Sequence, residues 1–366
     1  MRVVFQSRAD ALSRRGGDTV QMLRTAEELR ALGVRVDLAE EPAPDLADAN
    51  LVHIFNIQDA NQTLRQLDNA ARQGVPVAVS TIFWDLRHVY RDEDFVRCHD
   101  AATVRLAARL HWRLPYLLLR AKNLPRLRKI DRGIREVLAR ADLLLPNSYA
   151  EAEQLAILYD APFIRAKAAV VPNAVTLPPA DAVAPAEPAA IPGLPARYVL
   201  QVGRIEYVKG QLKVIRALMD WPEIPLVFVG RGENRHYLDA CRRLGERRGN
   251  TWFVAEVAHE ALPAIYRRAG VHVLPSLRES PGLATLEAAL HGANCVVSFH
   301  GPVMEYFGDK VWYCDPASAA SIGRAIVTAW ESPASGHLGE RIRTDLTWQQ
   351  AARATLRAYG MLRNRR

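Results

Sequence analysis

Cysteine, lysine and long apolar runs are all scarce in this chain of 366 residues. The four cysteines stand alone, with no Cys-x-x-Cys spacing and no paired histidines that would complete a zinc site, so reduced structural thiols are expected. No apolar run approaches about eighteen residues, and the N-terminal "MRVVFQS" is typical of a strand rather than of a signal peptide. We therefore expect a cytoplasmic protein that does not span a membrane.

The composition is that of a globular protein, with 49% apolar and 24% charged residues. This balance excludes a disordered chain and a small disulfide-bonded domain. The length exceeds that of a usual single domain, so we expect two domains, each large enough to have a core of its own.

The net charge of +8 has a local origin. Arginines and lysines crowd residues 101–140, and Arg105, Arg109 and Arg113 recur every four residues with leucines beside them. Such a pattern is typical of a basic interfacial helix, and residues 105–140 could dock on an anionic membrane surface. A solvated helix face in an arginine-rich protein explains the same pattern.

Strand and helix signals alternate in both halves of the chain, which predicts the α/β class with parallel sheets covered by helices. Residues 1–176, ending in a strand signal at "AAVVPNAV", and residues 198–345 are each expected to form a Rossmann-like, doubly wound domain. The proline- and alanine-rich residues 177–197 lack periodicity and are expected to be a linker. Residues 346–366 contain an amphipathic helix that could pack back on the first domain.

Glycine-bearing turns follow several predicted strands, at the positions where open α/β sheets bind ligands. In "VGRIEYVKG" the cations Arg204 and Lys209 lie at and just after a strand end, where both could neutralise one diphosphate. The alternative is a pair of solvated surface charges.

Two carboxylates flank the start of a predicted helix in "SLRESPGLATLEAALHG". Glu279 precedes the helix, and Glu287 lies about one and a half turns inside it. A carboxylate accepts hydrogen bonds from a vicinal diol, and the free N–H groups around Gly282, Leu283 and Ala284 suit a phosphate. Ribose, phosphate and sugar in this order describe a nucleotide-sugar. Attraction of acidic residues to a helix start is the alternative, and it suits Glu279 better than Glu287.

These motifs resemble those of the retaining glycosyltransferases of family four, which have the GT-B fold. The matching segments are "VPNAV", "VGRIEYVKG", "VGRGE", "AHEALPAIYRRAGVHVLPS", the Glu-x7-Glu segment "ESPGLATLE", "GPVMEYFGD" and "YCDP". They cover the second half well, whereas the first half is similar in architecture and in its Gly16-Gly17 loop. The resemblance implies two Rossmann-like domains facing across a cleft, with the C-terminal helix crossing back to the first.

The resemblance also implies roles for individual residues. Arg204, Lys209 and Glu279 would be the catalytic residues, the two cations on the donor diphosphate and the carboxylate on the donor sugar. Glu287 would bind the ribose, and the backbone of residues 254–257 would hold the base. The donor-binding residues at these loops are Gly203, Gly230, Val257, Ser280, Gly282, Leu283, Ala284 and Glu287.

The expected acceptor site lies in residues 1–176. Its candidates are Gly16, Gly17, Asp18, Trp84 and Asp85, and a helix N-cap is the alternative role of Asp18. Many family members carry a His-Asp pair where this chain has Trp84-Asp85. His88 and His99 are the nearby candidates for the absent histidine, with packed or surface side chains as the alternative.

The leading hypothesis is a retaining, metal-independent glycosyltransferase without a cofactor. Its partners would be a nucleotide-sugar donor and a saccharide or lipid-linked acceptor in cell-surface polysaccharide assembly, such as lipopolysaccharide, at the inner face of the plasma membrane. A soluble transferase acting on a small molecule is the alternative. Outside the enzyme class, the net charge suits a basic nucleic-acid-binding protein, although no nucleic-acid recognition module is present and no such partner is expected.

Overall fold

The structure is a computed structural model that describes residues 1–13, 16–85, 128–177, 193–255, 257–334 and 336–363. The chain divides into two compact units. The first contains Met1–Pro172 and Ala351–Arg366, and the second contains Asn173–Gln350. Each unit is built on a parallel sheet, so the prediction of two Rossmann-like α/β domains is confirmed.

The first unit has a five-stranded parallel sheet in the order β2-β1-β3-β4-β5. Its strands are β1 (Arg2–Gln6), β2 (Arg35–Ala39), β3 (Leu51–Phe55), β4 (Val77–Ser80) and β5 (Leu143–Leu145). The central strands are buried on both faces, which is why they are nearly continuous apolar runs in the sequence. The strand order reverses at β1 and β3, so a ligand site is expected beyond the carboxyl ends of these two strands.

Helices cover this first sheet. They are α1 (Gly17–Ala31), α2 (Ala60–Arg72), α3 (residues 128–140), α4 (Tyr149–Leu158) and α5 (Ile164–Lys167). Two of them begin at side-chain caps, because Asp59 accepts from the Gln62 N–H at 3.2 Å and Ser148 accepts from the Glu151 N–H at 2.9 Å. Gly33, with φ of 81°, ends α1 in the left-handed region that favours glycine.

The second unit has a six-stranded parallel sheet in the order β11-β10-β9-β6-β7-β8. Its strands are β6 (Tyr198–Val202), β7 (Leu226–Val229), β8 (Thr251–Val254), β9 (Ala269–Leu274), β10 (Asn294–Ser298) and β11 (Trp312–Cys314). Strand order reverses at β6 and β9, which pair in parallel with Leu200 opposite His272. The loops after β6 and β9 therefore lie side by side at the switch point of this sheet.

The remaining helices are α6 (Gln211–Ala217), α7 (Arg235–Arg248), α8 (Leu262–Arg268), α9 (Leu283–Leu290), α10 (Gly301–Phe307), α11 (Ala319–Glu331), α12 (His337–Asp345) and α13 (Trp348–Arg363). Val271 and Val273 of β9 belong to the core that contains side chains of α6 and α11. His272 between them faces the opposite side of the sheet, where its ring meets Tyr266 of α8.

Helix α13 belongs to the first unit from Ala351 onward. The buried Tyr359 hydroxyl lies 2.7 Å from Nδ1 of His53 in β3, and Nε2 of the same ring lies 2.9 Å from Ser80 Oγ. The C-terminal helix was predicted to pack back on the first domain, and this buried polar contact joins it to the first sheet. Among the described residues, every helix is too short or too polar to cross a membrane.

The junctions of the two units differ by a few residues from the predicted boundaries at 176 and 346. Residues 173–176 and 346–350 lie in the second unit, where the Val175 N–H donates to the Leu346 carbonyl at 3.0 Å. Residues 168–175, predicted to be a strand, form only isolated bridges at Ala168 and Val175. Pro172 within this segment has no N–H to donate to a ladder. Of the predicted linker 177–197, residues 178–192 lie outside the described residues.

Candidate active site

A lysine–glutamate ion pair joins the two loops at the switch point of the second sheet. Lys209 ends the 3-10 turn Tyr207–Lys209 after β6, and Glu279 lies in the loop after β9. Lys209 Nζ is 2.5 Å from Glu279 Oε2, and the two side chains are only 17% and 7% exposed. The Leu277 N–H also donates to the Val208 carbonyl at 2.8 Å, so the backbones of the two loops are tied together. The sequence predicted both residues for one site, and the structure brings them into contact.

Arg204, the other predicted cation, is more accessible than Lys209. Its side chain is 56% exposed and lies 3.4 Å from Glu206 Oε1. Its backbone carbonyl accepts from Gln211 Nε2 at 3.0 Å, so the start of α6 fixes the turn that carries it. The site therefore combines one lysine held by a buried partner with one arginine whose guanidinium is open to a ligand.

Gly203 and Gly230 approach each other where β6 and β7 end. Gly203 has φ of 142° and Gly230 has φ of 147°, both outside the range that other residues adopt readily. A Cβ atom on Gly230 would lie 2.1 Å from the Gly203 carbonyl oxygen. No side chain fits between the two strand ends, so their backbone borders the loop that carries Arg204.

Gly282 plays a comparable role at the start of α9. It has φ of 93°, and a Cβ atom there would lie 2.7 Å from Leu274 and 2.9 Å from Glu279 Cγ. The glycine thus lets the loop pack directly against the Glu279 side chain. Leu283 and Ala284 form the first turn of α9, which has no side-chain cap among the described residues, and their N–H groups are in position to meet an anion.

Ser280 lies between Glu279 and this turn. Its side chain is buried, and its hydroxyl has no hydrogen-bond partner within the part of the chain that the structure describes. A buried hydroxyl without a partner is costly, and a ligand or water that accepts or donates there would remove the cost.

Glu287 is held from a neighbouring helix. The Tyr266 hydroxyl of α8 donates to Glu287 Oε2 at 2.8 Å, one and a half turns into α9. Burial of the phenol raises the pKa of Tyr266 well above its ordinary value, and the nearby Glu287 charge raises it further, so the hydroxyl remains a donor. Glu287 is thus a fixed carboxylate, and attraction to a helix start does not account for its position.

His272 is a buried histidine near both the Lys209–Glu279 pair and the Tyr266–Glu287 pair. Its side chain is fully buried, and among the described residues neither ring nitrogen has a hydrogen-bond partner. Burial first, and the charge of Lys209 second, lower the pKa of His272 to about 3. The ring is therefore neutral near pH 7, and His272 adds no positive charge beside Lys209.

The residues expected to hold the base follow β8. Val254 is the last residue of that strand, and its carbonyl accepts from the Gly230 N–H at 2.9 Å. Val257 is partly buried against the apolar cluster under this face of the sheet. Residue 256 lies outside the described residues, whereas residues 254, 255 and 257 of the predicted base-binding segment are placed.

In the first unit, Asp18 is the centre of a polar cluster at the carboxyl ends of β1 and β3. It receives hydrogen bonds from Arg8 Nε at 3.0 Å, Asn56 Nδ2 at 3.1 Å and the Thr19 N–H at 2.9 Å. Burial raises the pKa of Asp18, but these bonds and the charge of Arg8 outweigh it and lower the pKa overall. Asp18 is the second residue of α1, so it is not the N-cap.

The glycines before Asp18 fit closely around it. Gly16 is the N-cap of α1, and a Cβ atom there would lie 2.7 Å from Asp18 Oδ1. Gly17 is the first residue of the helix. The predicted loop is therefore shaped to bring backbone against a carboxylate.

Trp84 and Asp85 follow β4 and are the last described residues before the gap at 86–127. Asp85 is buried, and the Trp84 carbonyl accepts from Gln58 Nε2 at 3.2 Å. Within the described ranges, the buried indole N–H of Trp84 has no hydrogen-bond partner. The candidates His88 and His99 and most of the basic stretch, residues 105–127, lie outside the described residues.

A fully buried carboxylate that the sequence analysis missed supports this region. Glu151 accepts hydrogen bonds from the Thr81 hydroxyl, from the Phe83 N–H at 3.0 Å and from the Asn147 N–H at 3.0 Å. It thereby joins the segment after β4 to the segment after β5. This role of Glu151 could not be predicted from the sequence, because the helix macrodipole favours an acidic residue in the first turn of any helix.

Arg8, Asn56, Tyr266 and His272 were also missed. Arg8 and Asn56 follow β1 and β3, and their position after strands that reverse the sheet order was the available signal. Tyr266 and His272 lie in apolar patterns that favour a core role. No group of three or more His, Cys, Asp and Glu side chains in the described part of the chain is arranged to hold a metal ion.

Comparison with known proteins agrees with this arrangement. The family model of the glycosyl transferases group 1 matches residues 192–345. A glycogen synthase of Mycobacterium tuberculosis (strain CDC 1551 / Oshkosh) is 34% identical over 173 residues, which are 44% of this chain and 42% of that protein. A D-inositol 3-phosphate glycosyltransferase of Mycolicibacterium smegmatis is 29% identical over 334 residues, 81% of this chain and 74% of that protein. The chain thus spans less than half the length of the glycogen synthase that it matches.

The fold has relatives among solved structures. Anabaena Alr3699/HepE, solved in complex with UDP-glucose, superposes on this chain with a TM-score of 0.68 at 15% identity. The superposition covers 98% of this chain and 100% of that chain. At this identity the likeness concerns the fold. Residues 192–345 are therefore similar to the group 1 glycosyl transferases, and the two Rossmann-like units of the chain have the GT-B fold.

Proposed function

We propose that the protein transfers a sugar from a nucleoside-diphosphate sugar to the hydroxyl of a saccharide or lipid-linked saccharide. The observation that carries this proposal is the Lys209–Glu279 pair, which joins the loops after β6 and β9 at the switch point of the second sheet. A cation and a carboxylate at such a point match the two chemical parts of the donor, an anionic diphosphate and a polyhydroxylated sugar.

Each part of the donor has a matching group. Lys209 has three N–H donors, so it can keep Glu279 and still bind a phosphate oxygen, and the exposed Arg204 supplies a second cation. Glu279 then accepts from hydroxyls of the donor sugar. Glu287 accepts from the ribose, and the backbone near Gly203, Gly230, Leu283 and Ala284 borders the phosphates. These assignments rest on the side-chain contacts and on the family resemblance.

The proposed reaction retains the configuration of the transferred sugar. The bond from the anomeric carbon to the diphosphate oxygen breaks, and its electron pair leaves with the phosphate. The acceptor oxygen attacks the same face, and its proton passes to the departing phosphate oxygen. Arg204 and Lys209 stabilise the negative charge that develops there, so the step needs neither a metal ion nor a protein base.

The acceptor is proposed to bind at the loops of the first unit. Gly16, Gly17, Asp18, Trp84 and Asp85 border the carboxyl ends of β1 and β4. Asp18 remains ionised because Arg8 and Asn56 lower its pKa, so it can accept from acceptor hydroxyls. The relative named as a glycogen synthase supports a saccharide acceptor.

We also propose a place for the basic stretch. Its described end, residues 128–140, is helix α3, in which Arg128, Lys129, Arg132 and Arg135 are exposed and Ile134, Val137 and Leu138 are buried. The exposed cations of α3, together with the basic sequence of residues 105–127, suit an anionic membrane surface and thus a lipid-linked acceptor of polysaccharide assembly. A small-molecule acceptor is the second candidate, favoured by the relative named for D-inositol 3-phosphate.

The experiment is a transfer assay with UDP-, GDP-, ADP- and CDP-sugars, in buffer with and without EDTA, and with saccharide, lipid-linked and cyclitol acceptors. NMR of the product reports the anomeric configuration. Product with the donor's configuration, formed equally with EDTA, supports the proposal. An inverted product contradicts retention, loss of activity with EDTA contradicts metal independence, and hydrolysis without transfer to any acceptor contradicts the proposed reaction.

A further inference from the structure

Tyr266 is clamped in one orientation. Its side chain is 1% exposed, its ring stacks on His291 with centroids 6.0 Å apart and planes 7° apart, and the edge of His272 lies on another side with centroids 6.2 Å apart. A tyrosine has two side-chain torsions, and these contacts restrict both. The direction of its hydroxyl is therefore set by the core of the second unit.

That hydroxyl donates a hydrogen bond of 2.8 Å to Glu287 Oε2. Because burial and the Glu287 charge raise its pKa, the phenol donates and the carboxylate accepts. Hydrogen bonds to charged groups are the stronger class, so the rotation of the Glu287 carboxylate is restrained by a rigid partner. Glu287 itself is only partly buried, so its carboxylate can also reach a ligand.

We propose that Tyr266 is a positioning residue that orients Glu287 and thereby sets the preference of the site for ribonucleotides over deoxyribonucleotides. This inference rests on the proposed function, in which Glu287 binds the ribose. A binding group must be held within about 0.5 Å and 10–20° of its productive geometry by neighbours whose own rotamers are locked. Tyr266 does not touch the donor; it acts through Glu287.

The second unit contains a matched control. Tyr198 is also fully buried in the same apolar cluster, and its hydroxyl donates at 2.8 Å to the carbonyl of Ile265, the residue before Tyr266. Tyr198→Phe therefore removes the same atom beside the same helix, α8, without touching Glu287. The test compares wild type, Tyr266→Phe, Tyr198→Phe and Glu287→Gln in the full chain.

The measurement is the dissociation constant for a nucleoside diphosphate and for its 2′-deoxy form, by calorimetry, with the base chosen from UDP, GDP, ADP and CDP. Wild type and Tyr198→Phe are expected to favour the ribo form by about tenfold or more, since one hydrogen bond to a charged group is lost without the hydroxyl. Glu287→Gln is expected to show little preference. Tyr266→Phe is expected to lie at or below about threefold, because the carboxylate is present but has lost the hydrogen bond that orients it.

A general loss of stability would weaken the binding of both nucleotides and leave the ratio intact, so the ratio separates positioning from structural damage. A wild-type ratio in Tyr266→Phe overturns the inference, and so does an equal drop in Tyr198→Phe. If Glu287→Gln keeps the wild-type ratio, or if wild type binds no nucleoside diphosphate, the proposed function itself fails. A crystal structure of wild type with the nucleotide is the second test, and a ribose that does not contact Glu287, or a Tyr266–Glu287 bond that is absent, overturns the inference.

Discussion

At the scale of single residues, three glycines determine the shape of the loops after β6, β7 and β9 in the second unit. Gly203, Gly230 and Gly282 all have backbone angles in the range that favours glycine, and added Cβ atoms at Gly230 and Gly282 would collide with neighbouring atoms. The closest collision is at Gly230, against backbone that cannot rotate away. The chemistry of Arg204 and Glu279 therefore depends on residues without side chains.

Gly230→Ala is expected to destabilise the protein by more than about 3 kcal/mol, because the new methyl group would overlap the Gly203 carbonyl and the left-handed backbone would be strained. Gly360→Ala in α13 is the control, since a Cβ there meets no atom of the described residues within 4 Å. It is expected to be neutral or to stabilise by up to about 1 kcal/mol. Thermal unfolding of both variants checks this, and a Gly230→Ala protein as stable as wild type would contradict the described contact.

His272 gives the second unit a dependence on pH. Its pKa is about 3 in the folded protein against an ordinary value of 6.5, so unfolding takes up a proton between these two values. The free energy of unfolding should therefore fall as the pH falls from 6.5 to 3, by about 1.4 kcal/mol per pH unit for this group. In His272→Phe that part of the slope should be absent. Chemical denaturation at several pH values checks this, and equal slopes in the two proteins would refute it.

At the scale of elements, the C-terminal helix α13 is joined to the first sheet by a buried relay of Tyr359, His53 and Ser80. Burial lowers the pKa of His53 to about 3, so the ring is neutral and each of its nitrogens has one partner. Helix α13 is part of the first unit because both its polar contact and its apolar face pack there.

Tyr359→Phe is expected to lower the free energy of unfolding of the first unit by about 1–3 kcal/mol, because Nδ1 of the buried His53 would lose its partner. Hydrogen exchange of the amides in β3, compared between wild type and variant, reports the change where it arises. Unchanged protection in β3, together with an unchanged melting temperature, would mean that the relay does not hold the helix.

Much of this element pattern is predictable from the sequence, because buried parallel strands form short apolar runs and the helices between them are amphipathic. The segment 168–175 was the exception, since an apolar run with Pro172 in it has the composition of a strand but cannot form its ladder. Lys209 and Glu279 were both predicted, yet they are 70 residues apart, and their contact depends on the pairing of β6 with β9. Tyr266 could not be predicted as a partner of Glu287, because a tyrosine on the apolar face of a helix indicates only burial.

At the scale of the whole molecule, the two units differ in how the chain builds them. The second is one continuous segment, Asn173–Gln350, whereas the first needs the distant segment Ala351–Arg366 to complete it. Both carry apolar cores of their own. The groups assigned to the donor all lie in the second unit.

A chain of residues 173–350 alone is therefore expected to fold cooperatively and to bind a nucleoside diphosphate about as well as the full chain. A chain of residues 1–172 should be much less stable than the same unit with residues 351–366, because it lacks Tyr359 opposite His53. Circular dichroism with thermal unfolding, and calorimetry with the nucleotide, check the two statements. Nucleotide binding that requires the full chain would place donor contacts outside the second unit.

In the proposed function Lys209 binds the diphosphate of a nucleotide-sugar, and calorimetric titration measures this binding. Wild type, Lys209→Met and Lys213→Met would be titrated with UDP-, GDP-, ADP- and CDP-sugars. Lys213 is the control because its ammonium bonds to the Pro316 carbonyl at 2.7 Å. One class of nucleotide-sugar is expected to bind wild type and Lys213→Met alike, and Lys209→Met is expected to bind it at least about tenfold more weakly. Equal binding by Lys209→Met, or no binding of any nucleotide-sugar by wild type, would contradict this role of Lys209.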